Sequence, residues 1–207
     1  MLVIGLTGSI GMGKTAVAGH IASRGVPVLD SDSIVHSLYT GDATAAIEAE
    51  FPGTTAGGMV DRARLSAALL ADEAGFARLE ALIHPLVRQA QWRFLHSQAE
   101  AGKPMAVLDI PLLFETGGDK MMDVTVVVSA PADIQEARVF ARPGMTREKL
   151  EAIRARQLPD AEKRARADFI VDTGVAWEHT REAVDKLLES LKERPGTAME
   201  RWRRLYA

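Results

Sequence analysis

The sequence predicts an α/β fold: a parallel sheet of about five strands flanked by helices and broken once by a helical insertion. Three observations point to it. Short apolar runs of strand length recur near both ends of the chain, at residues 3–6, 26–29, 105–110, 124–129 and 169–171. Helix-spaced segments separate several of them, as the crossovers between neighbouring parallel strands require. Between the second and third runs the alternation stops, and residues 33–102 read as mostly helical.

Taken in order, residues 3–6 form a buried strand that runs into glycine-rich sequence. Residues 15–23 follow as a helix, with Ala16, Val17, Ile21 and Ala22 available to face inward. Residues 26–29 make the second strand, bounded by Gly25 before and Asp30-Ser31-Asp32 after. In the insertion, residues 53–58 are a turn-rich break. The clearest helix there is 76–95, where Leu79, Leu82, Ile83, Leu86, Ala90 and Phe94 keep helical spacing. Pro85 lies inside that helix and is expected to kink or interrupt it. The sheet resumes with 105–110 and with 124–129, whose VTVVVS run has the β-branched enrichment of a buried strand. Helices at 132–141 and 147–157, a short strand at 169–171 and a helix at 176–191 complete the pattern.

Composition narrows the function. The chain has 207 residues, no cysteine and a formal net charge of −3. With 47% hydrophobic and 26% charged residues it is an ordinary globular chain rather than a disordered one. The missing cysteines remove disulfides, thiolate metal sites and cysteine nucleophiles. The net charge gives no reason to expect bulk binding to nucleic acid or to an anionic membrane. No apolar run reaches the length of a membrane span, and the first residues lack a signal peptide's basic start, so the expected location is the cytoplasm. The charge is uneven: residues 30–61 carry six acids and no Lys or Arg, whereas residues 131–166 carry nine basic and six acidic residues.

The strongest chemical signal is Gly8-Ser9-Ile10-Gly11-Met12-Gly13-Lys14-Thr15, a G-x-x-x-x-G-K-[ST] loop between a predicted strand and a predicted helix. Its glycines let the backbone turn tightly, so that N–H groups and the following helix start can cradle phosphates. Lys14 supplies a full charge, and the Thr15 hydroxyl is placed to ligate Mg²⁺. Three classes share this loop: a GTP switch, an ATPase motor and a small-molecule kinase. A GTP switch reads guanine through an Asn-Lys-x-Asp stretch, which a chain without asparagine cannot have. A motor is expected to carry a long strand ending in paired acids, but Val107-Leu108-Asp109 ends in one acid followed by Ile110-Pro111. A small kinase fits the length best.

Other residues fit phosphoryl transfer. Asp30 and Asp32 follow strand two, at the sheet edge where ligands of open α/β folds bind. A carboxylate there can take the proton of an attacking hydroxyl or help hold hydrated Mg²⁺; either acid can instead cap the next helix. Arg138 and Arg142 are four apart on a predicted helix, with Arg147 and Arg154 beyond. They can stabilise charge on a transferring phosphoryl group, or form a solvated face with Glu136, Glu148 and Glu151. His84 before Pro85, and Pro111, Leu112 and Leu113 after a strand end, carry little signal alone.

Together the motifs resemble the dephospho-coenzyme A kinase family over most of the chain. The resemblance runs through IGLTGSIGMGKT, VPVLDSDSIVH, LEALIHP, VLDIPLLFE, Gln135-x-x-Arg138-x-x-x-Arg142, Arg154-x-x-Gln157 and Ala167-Asp168-Phe169-Ile170. It implies a P-loop, nucleoside-kinase-like fold with a nucleotide-binding core (1–32, 103–130 and 167–192), a helical CoA-binding insertion (33–102) and a lid (131–166). A basic tail, 193–207, follows. It also implies ATP-dependent phosphorylation of the ribose 3′-hydroxyl of dephospho-CoA with Mg²⁺, by a monomer or weak homo-oligomer. Asp32 would then be the general base. Gly8, Gly11, Met12, Gly13, Lys14, Thr15 and Ala16 would hold the ATP phosphates, and Thr15 would meet Mg²⁺. Arg138 and Arg142 would belong to the lid, and His84, Pro111, Leu112 and Leu113 would line the acceptor side. The chain departs from the family pattern at Ser9, Met12, Thr15-Ala16, Ser31 and Thr173. A kinase for another small hydroxyl or monophosphate acceptor would share the loop and the arginines. A nucleotide sensor recruiting a partner through Arg201, Arg203 and Arg204 is the non-enzymatic alternative.

Overall fold

The computed structural model describes residues 1–72 and 74–206. Glu73 of the expected insertion and Ala207 of the expected tail lie outside the described residues. By its contacts the chain divides into two units, Met1–Leu29 with Leu95–Ala207, and Asp30–Phe94. The second unit begins at Asp30, and the C-terminal part of its long last helix belongs to the first unit.

The first unit is built on a parallel sheet. Its first two strands are β1 (Leu2–Thr7) and β2 (Val28–Asp30), with helix α1 (Lys14–Ser23) between them. The second unit then contributes α2 (Ser31–Tyr39), α3 (Thr44–Glu50), an antiparallel pair β3 (Thr55–Ala56) and β4 (Met59–Val60), and α4 (Arg62–Leu70). Helix α5 (Gly75–Glu100) leads back to β5 (Met105–Asp109) and β6 (Val124–Ser129). After β6 come α6 (Ala132–Phe140), α7 (Arg147–Arg154), α8 (Asp160–Arg166), β7 (Phe169–Asp172), α9 (Trp177–Leu191) and α10 (Ala198–Tyr206). The sheet order is β2-β5-β1-β6-β7, and β1 pairs in parallel with both β5 and β6.

That order locates the site. From β1 the chain crosses through α1 toward β2, and from β6 it leaves in the opposite direction toward β7. The carboxyl ends of β1 and β6 therefore flank a topological switch point, the crevice where open α/β sheets bind ligands. Every residue of β1 and β6 is buried, as expected of central strands covered on both faces. Leu2, Ile4 and Leu6 share one core with Val124, Val126 and Val128 and with Val17, Ile21, Val184 and Leu188 of the covering helices.

Two sequence expectations change. The interruption at Pro85 does not occur: α5 runs through it as one helix. A proline removes one ladder bond, but helical turns already formed on either side propagate across the gap. The helix expected over 147–157 ends at Arg154, and a separate helix, α8, follows. Pro159 explains the break, since the residue before a proline is pushed out of helical conformation. The basic tail is a helix, α10, with Trp202 buried and its indole N–H donating to the Met121 carbonyl at 3.0 Å.

Candidate active site

In the first unit, β1 runs into the loop of residues 8–13, and α1 starts at Lys14 with Gly13 as its N-cap. Gly11 and Gly13 have φ of 78° and 84°, the left-handed region that glycine adopts without strain. Gly11 is also needed for space, because a Cβ there would lie 2.6 Å from Val139 Cγ2 and 2.9 Å from the Gln135 carbonyl oxygen of α6. The first turn of α1 leaves backbone N–H groups without helical acceptors, beside the positive end of the helix dipole. The loop and helix start form a cradle for an anion. Lys14 lies within it, and its ammonium pairs with Asp109 Oδ1 at the end of β5. The Thr15 hydroxyl stands on an exposed residue at the same helix start.

The loop is clasped from several sides. The Ile10 N–H donates to Gln157 Oε1 at 3.2 Å, and the Ile10 carbonyl accepts from Gln135 Nε2 at 2.8 Å. Arg154 holds Gln135 Oε1 at 2.6 Å and Glu136 at 3.0 Å. The buried Thr173 hydroxyl donates to the Met12 carbonyl at 2.7 Å. Arg138 binds that hydroxyl at 3.0 Å and the Thr173 carbonyl at 2.7 Å. Arg138 is thus fixed next to the phosphate loop through Thr173. Arg142 lies beyond α6, exposed, so the two do not share a helix face as the four-residue spacing suggested.

The segment after β5 faces inward. The Pro111 carbonyl accepts from the Thr7 hydroxyl at 3.1 Å and from Lys163 Nζ at 3.3 Å. Lys163, fully buried, forms an ion pair with Glu115 at 2.8 Å. Pro111 and Leu112 are half-buried, but Leu113 is a core residue, wholly buried against Gly5 of β1. Its side chain cannot line an open surface, because the packing of β1 consumes it.

In the second unit, Asp30 caps α2, its carboxylate accepting the Asp32 N–H at 2.9 Å. That assigns the capping role to the first acid of the pair. Asp32 lies in the first turn of α2, on an exposed residue. Asp32, Val35, His36 and Tyr39 fall on one face of α2, and a cleft of about 590 Å³ separates them from Arg62, Leu65 and Leu69 of α4. The Arg62 guanidinium lies 5.6 Å from the centre of the Tyr39 ring, and its Nη2 is 3.0 Å from His36 Nδ1. Burial pushes the Tyr39 phenol above its usual pKa, and the nearby Arg62 charge partly offsets this. His84, half-buried on α5, is not among the residues lining the cleft.

Sequence reasoning missed Thr173, Gln135, Arg154 and Gln157 as supports of the loop, and Tyr39 and Arg62 as cleft residues. The motifs and family pattern had marked these four as residues of interest, but they lie far from the loop in sequence, and nothing local shows that they hold it. Tyr39 and Arg62 carried a signal: each belongs to an i, i+3, i+4, i+7 face that ends in open space.

Comparison with known proteins is consistent across the chain. The family model for dephospho-CoA kinase (CoaE) matches residues 2–177. A dephospho-CoA kinase of Mesorhizobium japonicum is 56% identical over 95% of this chain and 100% of its own length. One from Brucella melitensis is 52% identical over 96% and 99%. Among solved structures, TT1252 from Thermus thermophilus superposes with a TM-score of 0.79 at 34% identity, covering 92% of this chain and 97% of that one. A dephospho-CoA kinase from Campylobacter jejuni (TM-score 0.71, 22% identity, 92% and 97% covered) shares the fold. So does a shikimate kinase from Acinetobacter baumannii (TM-score 0.51, 17% identity, 92% and 93% covered).

Proposed function

Because the chain belongs to the dephospho-CoA kinase family, we propose that it transfers the γ-phosphoryl group of ATP to the ribose 3′-hydroxyl of dephospho-CoA, the last step of coenzyme A synthesis. One observation carries the ATP half of this reading: a phosphate loop at the sheet's switch point, with left-handed Gly11 and Gly13 and Lys14 at the start of α1.

The steps follow from the residues. The loop and helix start at Gly8, Gly11, Met12, Gly13, Lys14, Thr15 and Ala16, with the Lys14 charge, hold the triphosphate. Asp32 takes the proton of the 3′-hydroxyl as that oxygen attacks the γ-phosphorus. A new O–P bond forms, the bond to the β–γ bridging oxygen breaks, and its electron pair leaves on ADP. Negative charge spreads over the equatorial oxygens, and Arg138 and Arg142 stabilise it. Arg138 does so from an orientation fixed by Thr173. His84, Pro111 and Leu112 line the acceptor side, and Leu113 acts by packing in the core against Gly5 of β1. The Thr15 hydroxyl and the Asp109 carboxylate offer hard oxygen donors, a set that suits Mg²⁺, an ion that takes few protein ligands and keeps several waters. When bound, Mg²⁺ neutralises charge on the β and γ phosphates. On this reading residues 33–102 bind the acceptor, 131–166 act as the lid, and the protein works in the cytoplasm as a monomer or weak homo-oligomer.

The first test is turnover. Folded protein with ATP, Mg²⁺ and dephospho-CoA yields ADP and the 3′-phosphorylated product, and no product would refute the activity. For the base, Asp32→Asn is expected to bind both substrates normally while kcat falls by about 10²–10⁴. A kcat within about threefold of wild type removes Asp32 from that role.

A further inference from the structure

One buried polar contact in the second unit belongs neither to the cleft nor to the phosphate loop. Gln91 of α5 donates from Nε2 to the Ser31 hydroxyl oxygen at 2.9 Å, across 60 positions of sequence. Both residues are almost wholly buried, at 5% and 6% exposure. A buried polar side chain is costly unless it is paired, and here each supplies the other's partner. Ser31 is the first residue of α2, between the capping acid and Asp32. It is also among the positions where the chain departs from the family pattern, so the motif did not mark this contact.

The bond acts on the one freedom that the rest of α2 leaves loose. The Asp30 carboxylate, accepting the Asp32 N–H at 2.9 Å, fixes where the helix begins. Ser31, Ile34 and Leu38 form its buried face. Ile34 and Leu38 hold that face inward by apolar burial, which has no direction and tolerates a small rotation about the helix axis. A hydrogen bond is directional, and this one acts at the first turn. Ser31 and Asp32 are successive residues, about 100° apart around the axis, so the rotation that sets one sets the other. The Asp32 carboxylate stands about 6 Å from the axis, so a rotation of about 10° carries it about 1 Å.

We propose that Gln91 is a positioning residue for the transfer: through Ser31 it fixes the rotation of α2, and with it the aim of the Asp32 carboxylate at the acceptor hydroxyl. This rests on the reading of Asp32 as the base. Gln91 is buried and acts only through Ser31.

Steady-state kinetics and thermal unfolding of Ser31→Ala, Gln91→Leu and the double variant test it, with both single changes repeated in an Asp32→Asn background. Each single change leaves a buried polar group without its partner and lowers Tm. The double variant replaces both by apolar groups and should recover Tm. In all three, kcat is expected to fall by about tenfold to a hundredfold, the loss that a shift of about 1 Å produces. KM for ATP should stay within about twofold, because the phosphate loop belongs to the first unit. In the Asp32→Asn background neither change should lower kcat further. Wild-type kcat in the single variants overturns the proposal. So does a double variant in which kcat recovers along with Tm, which would make the pair structural only, and so does an equal loss in the Asp32→Asn background. Should Gln91→Leu fail to fold, Ser31→Ala and the double variant carry the same comparison. An inactive wild type, or an Asp32→Asn kcat within about threefold of wild type, removes the base and this proposal with it. A large loss in Asp32→Asn beside unchanged Ser31→Ala and Gln91→Leu removes the positioning alone.

Discussion

Lys163→Met should destabilise the protein severely, and Glu115→Gln added to it should restore much of the loss. Lys163 is 0% exposed and Glu115 14%, and their ion pair spans 2.8 Å. Glu115 Oε1 also accepts the Leu158 N–H at 2.8 Å, and buried Glu115 Oε2 has no hydrogen-bond partner among the described residues. Methionine fills the space of the lysine stem but leaves a carboxylate in a dry site without its cation. Breaking a buried pair from one side costs about 3–5 kcal/mol. For a chain of this size that lowers Tm by roughly 6–20 °C. Glutamine at 115 keeps an oxygen for Leu158 and removes the charge, so the double variant should be more stable than Lys163→Met alone. Thermal and urea unfolding of the four proteins gives the coupling energy, expected at about 1–3 kcal/mol. A Tm within about 2 °C of wild type for Lys163→Met, or strictly additive single effects, would refute the reasoning. The result bears on function because the same lysine holds the Pro111 carbonyl, and with it the segment that leads from β5 to the proposed acceptor side.

Three further predictions follow from other contacts. Thr173→Val keeps the shape of the side chain but removes the donor to Met12 and one acceptor of Arg138, so ATP affinity measured by calorimetry should fall about tenfold; an unchanged affinity would separate Thr173 from the loop's conformation. Trp202→Ala should cost about 3–5 kcal/mol in urea unfolding, since the indole is buried and hydrogen-bonded; a cost below about 1 kcal/mol would show that α10 packs only loosely. In a Tyr206→Phe background Tyr39 is the remaining tyrosine of the two in the chain, and its phenol can be titrated by ultraviolet absorbance. Burial already raises its pKa and the Arg62 charge holds it back, so Arg62→Ala should raise it further. The sign for stability follows: with the folded pKa raised, the contribution is full below the unfolded value of 10.0 and is lost as pH rises through it toward the folded value. A downward shift in Arg62→Ala would contradict the observed stacking.

Much of the site was legible where chemistry and sequence coincide. The phosphate loop is contiguous, so its glycines, lysine and threonine are read as one motif, and strand and helix on either side confirm its context. Asp30-Ser31-Asp32 was visible as a pair of acids but not as a division of labour. Only the φ and ψ of Asp30 and its bond to the Asp32 N–H assign the cap to the first. The arginine spacing misled, because α6 stops at Phe140 and a shared face ends with the helix. The C-terminal residues were read only as a basic tail, and the helix that buries Trp202 was not predicted. The Asp123 carboxylate, which accepts the Thr197 and Ala198 N–H groups at 2.7 Å each, starts that helix from 74 and 75 positions away.

The sequence by itself determined the class of chemistry and the fold that serves it. Local signals sufficed, because a P-loop and the apolar runs of buried strands are written in consecutive residues, and a chain without asparagine excludes the guanine-reading alternative. The tertiary structure decided which side chains stand behind those motifs. Thr173 on Met12, Gln135 and Gln157 on Ile10, Lys163 on Glu115 and the α2–α4 cleft all join residues distant in the chain. Their meaning depends on burial and on hydrogen-bond partners, and neither exists until the sheet and helices have packed.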